Sequence, residues 1–142
     1  MTGLTSPLHV GIINARDVRF FKGPSNGPEM PWHAVEDLYQ ALGLPRSLRR
    51  ELLRKTQAHW GMELRSVATA DGPVVVAPHY VAQGLIGAAV EAMGAPPHVE
   101  KDYARAGVGA LNALTGDLGP KAAIEFVVAA YRNTNGVDGG TP

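Results

Sequence analysis

Glycine and proline cut this chain into short lengths, and that limits what it can fold into more than any other feature. The breaks fall at Lys22 to Pro31, at Gly43-Leu44-Pro45, at Ala70-Asp71-Gly72, at Gly94-Ala95-Pro96-Pro97 and at Thr115 to Gly119. Proline has no backbone N–H to donate, and glycine loses more conformational freedom on ordering than any other residue. Long helices and long strands therefore do not run through these points. No stretch approaches the ~20 consecutive apolar residues that would span a bilayer.

The pieces between the breaks carry distinct periodicities. Leu8 to Ile13 is rich in β-branched residues and Val18 to Phe21 is apolar and aromatic, so both read as strands, with Asn14-Ala15-Arg16-Asp17 as the turn between them. Pro31-Trp32-His33 leads into a helix, with Val35, Leu38, Tyr39 and Leu42 on one face and Gly43 as its stop. A second helix follows over residues 46–59, with Leu48, Leu52 and Leu53 along one side. Met62 to Thr69 alternates imperfectly, Ala70-Asp71-Gly72 is a hairpin turn, and Val74-Val75-Val76 returns as a strand. Pro78-His79 opens a third helix, and Val99 to Leu114 and Pro120 to Tyr131 give two more. The tail from Asn133 to Pro142 is polar and glycine-rich, with the composition of a disordered segment.

That order predicts an α+β fold: small antiparallel hairpins packed with helices, followed by a helical C-terminal third. A chain of 142 residues is one domain in size. The globular unit is expected over residues 1–132. There are no cysteines, so neither disulfides nor thiolate chemistry enters. The first ten residues have neither a basic region nor an apolar run of signal length, which reads as a cytoplasmic start. Only 18% of residues are charged and the formal net charge is zero, a balance that favours association, so a homodimer is expected.

The zero hides an uneven distribution. Residues 46–65 hold Arg46, Arg49, Arg50, Arg54, Lys55 and Arg65 against Glu51 and Glu63, an excess of +4. Residues 1–45 carry −1 and residues 66–142 carry −3. Arginine presents a planar fork of donors suited to phosphates and base edges. The i, i+3, i+4, i+8 spacing sets Arg46, Arg49, Arg50 and Arg54 along one broad helical stripe. Gln57, His59 and Trp60 extend it with polar and stacking groups. Two helices joined by Gly43-Leu44-Pro45 have the layout of a helix-turn-helix pair. The expected nucleic-acid-binding set is thus Arg46, Arg49, Arg50, Arg54, Lys55, Gln57, Trp60 and Arg65. The competing readings are a solvated face and a surface for an acidic protein partner.

The run Val18-Arg19-Phe20-Phe21, a Gly/Pro loop, and then Pro31-Trp32-His33-Ala34-Val35-Glu36-Asp37-Leu38-Tyr39-Gln40-Ala41-Leu42-Gly43-Leu44 resembles the BRO N-terminal domain of phage antirepressors, prophage proteins and large DNA viruses. Glu36-Asp37-Leu38 stands where that family has Lys-Asp-Val, and Ala41-Leu42-Gly43 matches its helix end. Asp71-Gly72 with Val74-Val75-Val76 occupies the place of its second hairpin. Gly84-Leu85-Ile86 resembles its following helix, without the Ser-Glu and Tyr usual there. The resemblance covers residues 8 to 90, leaving 98–132 as a helical extension. It implies a regulatory DNA-binding or antirepressor module and no catalysis.

Other features have plainer readings. Asn14, Arg16, Arg19 and Lys22 form a lesser basic patch, for which ordinary surface is the expected role. His9, His33, His59, His79 and His98 show no metal-binding spacing, and no motif calls for a metal or cofactor. His33 and Asp37 would touch at i, i+4 if both lay on the first helix. Glu100 and Asp102 suit a helix N-terminus. Ala104, Gly107, Ala110 and Ala113 would allow close helix–helix packing. No catalytic constellation stands out, and only a polar pocket holding two strongly shifted titratable groups would argue for an enzyme.

Overall fold

The sheet is built from two hairpins joined through a three-residue strand. The computed structural model describes residues 4–24 and 27–135, the last three of them as backbone alone. Its strands are β1 (His9–Ile13), β2 (Arg16–Phe21), β3 (Trp32–Ala34), β4 (Arg65–Thr69) and β5 (Gly72–Ala77). They lie in the order β1-β2-β3-β5-β4, with every neighbouring pair antiparallel. The helices are α1 (Val35–Ala41), α2 (Arg46–Trp60), α3 (His79–Ala92), α4 (His98–Thr115) and α5 (Pro120–Asn135). The result is an α+β fold with a helical C-terminal portion, as the periodicities predict.

Each hairpin is set by its turn. Asn14 and Ala15 both take left-handed backbone angles, φ 50 and 63, so the first turn is a two-residue loop and Arg16 and Asp17 belong to β2 instead. Asn14 then fastens the hairpin to its surroundings. Its backbone N–H donates to Asp102 Oδ2 (2.8 Å) and its side-chain amide to the Ala41 carbonyl (2.9 Å), while Oδ1 meets His98 Nε2 at 2.9 Å. In the second hairpin Ala70 and Asp71 form the loop. Gly72 takes φ 108, and the Thr69 hydroxyl donates to the Gly72 carbonyl (2.7 Å) and accepts from the Asp71 N–H (3.1 Å).

The sequence reading misplaces β3. Trp32-His33-Ala34 is a central strand, paired with β2 through Phe20↔His33 and with β5 through His33↔Ala77. Both neighbours supply ladder partners, and that pairing outweighs the helical pattern that begins just after it. The first helix therefore starts at Val35 rather than His33, and His33 is not on one helix face with Asp37. Gly61–Glu63 form a single 3-10 turn, so the fourth strand begins at Arg65, not Met62. At the C-terminus, α5 continues to Asn135, and the remainder of the expected disordered tail, residues 136–142, lies outside the described residues.

The main core joins Ile13, Val18 and Phe20 of the hairpin to Leu38 of α1 and Leu42 just after it, Leu52 of α2, Leu85 of α3 and Val99 of α4, among others. A second cluster holds Phe21, Trp32, Ala34, Val74 and Val76. Of Ala104, Gly107, Ala110 and Ala113, expected to meet a helix, only Ala110 is buried; the close approach of α4 is to β1 and runs through Ala106 and Gly109 instead. A Cβ on Gly11 of β1 would lie 2.4 Å from Ala106 Cβ, and one on Gly109 would lie 2.6 Å from His9 Nε2. The segment before β1 reaches the far edge of the sheet, where the Thr5 N–H donates to the Ala68 carbonyl of β4 (2.7 Å). Among the described residues no helix is long and apolar enough to cross a membrane.

Candidate nucleic-acid interface

Helix α2 sorts its side chains by their position around the axis. At about 100° per residue, Leu52 and Thr56 point into the core, flanked by the half-buried Leu48 and Trp60. Arg46, Arg50, Arg54 and Gln57 fall in one outward sector, and all four are exposed. This is the stripe expected, less one member. Arg49 lies next to the buried face and is only half-exposed, and its Nε is fully enclosed. Leu53, expected on the inward side, is 38% exposed beside the arginines. Thr56 takes the inward place and donates its hydroxyl to the Leu52 carbonyl (2.7 Å).

The arginines differ in what already holds them. Arg54 is paired with Glu51, and this contact also draws the exposed Glu51 carboxyl below its usual pKa range. Arg65 donates to the Met62 and Leu64 carbonyls (2.7 and 2.9 Å), which fixes it to its own turn rather than to α2. Arg46, Arg49 and Arg50 have no carboxylate within ion-pair distance among the described residues.

These three stand at the start of α2, where the helix dipole is positive. The first turn contains no acidic residue, and Pro45 offers no capping side chain. Cations at that end are electrostatically unfavourable for the isolated helix. Together with Glu36 and Tyr39 of α1 and with Leu53, they line a groove of about 190 Å³ between the two helices. Burial pushes the Tyr39 phenol above its usual pKa range, against a smaller downward pull from Thr56.

The chain matches no profile of a known family, no curated protein and no solved structure.

Of the remaining expected site residues, Lys55 and Trp60 do not join this face. Lys55 and Trp60, with His59, line a separate cleft of about 470 Å³ shared with Gly84 and Leu85 of α3. Trp60 covers Gly84 so closely that a Cβ there would lie 2.5 Å from the indole Cη2. Gln57 is exposed on the arginine side. In the lesser basic patch, Arg19 is held by Asp37 and Asn14 is committed to the contacts described above, which leaves exposed Arg16 and Lys22. Trp32 is buried and its indole N–H donates to Glu29 Oε2 (3.3 Å).

One titratable group escaped the sequence reading because its environment is made by elements far apart in the chain. Tyr103 of α4 stacks on His79 of α3, with ring planes 16° apart and a 2.9 Å contact between Oη and Nδ1. His33 of β3 approaches the same ring edge-on at 6.2 Å. A cavity of about 350 Å³ opens beside them, lined also by Gln83 and Glu100. Desolvation raises the Tyr103 phenol, lowers His79, and takes His33 down to about 3, helped there by His79. These shifts make the phenol a weaker acid and the imidazoles weaker bases. General acid–base work near neutrality needs the opposite movement, toward the working pH.

Proposed function

We propose that this protein is a DNA-binding regulatory module of the phage or prophage antirepressor type, which meets the nucleic-acid backbone with the first turns of α2. The observation that supports it best is the placing of Arg46, Arg49 and Arg50. Three cations stand at the positive end of a helix, around a groove, without carboxylate partners among the described residues. Such an arrangement costs stability unless an anion is bound there, and departures of that kind concentrate at functional sites. Arg54 and Gln57 extend the face, with Arg54 already half-neutralised by Glu51.

The likeness of residues 8 to 90 to the BRO N-terminal domain gives this face a regulatory setting in the cytoplasm and no catalytic duty. It rests on the residues quoted for it above. A homodimer fits the zero net charge and the exposed apolar positions Ile124 and Val128, one turn apart on α5. The reading is tested by titrating duplex DNA at low and at moderate salt. Each phosphate contact should steepen the loss of affinity with salt. Absence of salt-sensitive binding to any DNA or RNA would exclude it.

A second reading, an accessory module that docks the same face on an acidic protein, is favoured by Leu53. An apolar side chain 38% exposed among arginines suits a protein surface at least as well as a phosphate backbone. Leu53→Ser separates the two: it should weaken a protein complex strongly and DNA binding little.

A further inference from the structure

Helix α5 carries apolar residues on two sides, and the fold covers one of them. Ala123, Phe126, Val127 and Ala130 make the inward side, buried or half-buried where α5 packs on α3. Ile124, Val128 and Tyr131 stand on the other side, at 65%, 45% and 57% exposure. At about 100° per residue these three fall in one stripe roughly 60° wide and two turns long. The charged side chains of α5 are Lys121, Glu125 and Arg132 alone. A helix apolar around so much of its circumference belongs in an interior, and an exposed apolar stripe marks a contact surface.

The charges say what covers the stripe. Its i, i+4, i+7 spacing is that of a coiled-coil seam, where apolar residues recur at alternating intervals of three and four. Glu125 and Arg132 each follow a seam residue directly, so both lie on the same flank of the stripe. Neither forms an ion pair among the described residues. The opposite flank carries Val127 and no charge. Two such helices lying parallel would set the charged flank of one against the uncharged flank of the other. Lying antiparallel, they set charged flank against charged flank, and the order of acid before base makes the two self-complementary.

We propose that α5 is the surface through which two copies of this chain pair, antiparallel, about a two-fold axis. Val128 of each copy packs beside Tyr131 of the other, and Glu125 meets Arg132 of the other at both ends of the seam. The proposal gives the homodimer of the preceding section its interface and rests on that reading. Zero net charge leaves no overall repulsion between copies. One helix from each copy buries less than the ~1,200 Å² of a standard stable interface, so the dimer is weak, with a dissociation constant on the order of micromolar. Pairing presents the arginine face of α2 twice, as a reader of two half-sites requires.

Sedimentation equilibrium of the whole protein, from low to high micromolar concentration, reads the pairing, with circular dichroism to show that each variant is folded. A reversible monomer–dimer equilibrium is expected. Ile124→Glu, at a position exposed in the monomer, should weaken it by more than about tenfold, because the change enters a two-fold interface twice and puts a carboxylate in the seam. Glu125→Arg and Arg132→Glu should each weaken it by about fivefold or more, by setting like charges face to face. Combining the two reversals in one chain should restore the wild-type affinity, and mixing the two single variants should give a heterodimer tighter than either homodimer. A dimer that none of these changes weakens overturns α5 as the interface and keeps the homodimer. A dimer weakened by Ile124→Glu but indifferent to both charge reversals overturns the antiparallel pairing. A protein that stays monomeric throughout overturns the proposal and the homodimer together.

Discussion

Arg19 and Asp37 form a two-pronged ion pair that ties β2 to α1. Arg19 Nε donates to Oδ2 at 2.8 Å and Nη2 to Oδ1 at 3.0 Å, and the Arg19 backbone N–H donates to the same Oδ2 at 3.0 Å. The carboxylate raises the guanidinium pKa through that hydrogen bond. Both side chains are mostly shielded, at 25% and 17% exposure. Charge-assisted bonds of this geometry exceed ordinary ones in strength. Asp37→Ala should therefore lower the unfolding free energy by about 1–3 kcal/mol in urea denaturation. Because Asp37 anchors α1 to β2, the same variant should loosen the groove that Tyr39 and Glu36 of α1 line.

His33 gives the fold an acid limit. Its ring is fully buried, both nitrogens lack partners, and its pKa in the folded state falls to about 3. The folded pKa lies below the ordinary 6.5, so the unfolded chain binds the extra proton between those values. Stability contributed by the neutral ring is complete above pH 6.5 and is lost as pH falls toward 3. The slope from one such group is at most about 1.4 kcal/mol per pH unit. His79, also lowered by burial, acts with the same sign. Chemical denaturation of His33→Phe at pH 7 and pH 4.5 should show a smaller pH difference than the wild type. An unchanged difference would assign the acid sensitivity elsewhere.

Helix α4 approaches β1 as closely as it does because position 11 has no side chain. A Cβ there would meet Ala106 Cβ at 2.4 Å and Ala106 Cα at 3.2 Å, so strand or helix backbone would have to move. Gly11→Ala should destabilise by about 1–3 kcal/mol. Adding Ala106→Gly should recover part of that loss, and a double-mutant cycle measures the coupling. Simple additivity would mean that the two surfaces separate more easily than their spacing implies.

Ala15 holds φ 63 in the first hairpin turn, a left-handed angle that a Cβ disfavours by about 1 kcal/mol. Ala15→Gly should raise the melting temperature by a few degrees, against the usual cost of a new glycine.

Much of this architecture is legible in the sequence, for local reasons. The Gly and Pro breaks, the hairpin at Asp71-Gly72 and the helical period of α2 and α3 all act over a few residues, and the structure follows them. β3 was not legible. Trp32-His33-Ala34 is too short to show a strand period and becomes a strand only because β2 and β5, distant in the chain, flank it. The site divides in the same way. The arginine row at 46, 50 and 54 follows from helical spacing. The half-burial of Arg49 and the placing of Trp60 over Gly84 depend on where α1 and α3 pack, which spacing within α2 does not encode. Tyr39 read as a core residue from its position on the apolar face of α1, and it is one.

The central claim is that the first turns of α2 meet phosphates, and the salt dependence of DNA binding tests it most directly. Affinity for a duplex should be measured across a range of salt for the wild type and for Arg46→Ala/Arg50→Ala, both exposed positions whose loss spares the core. Each lost phosphate contact lowers the slope of log affinity against log salt by about 0.9. The account predicts a shallower line for the double variant, by about 2 in slope, with folding intact. Parallel lines for the two proteins, or no salt-dependent binding in the wild type, would contradict it.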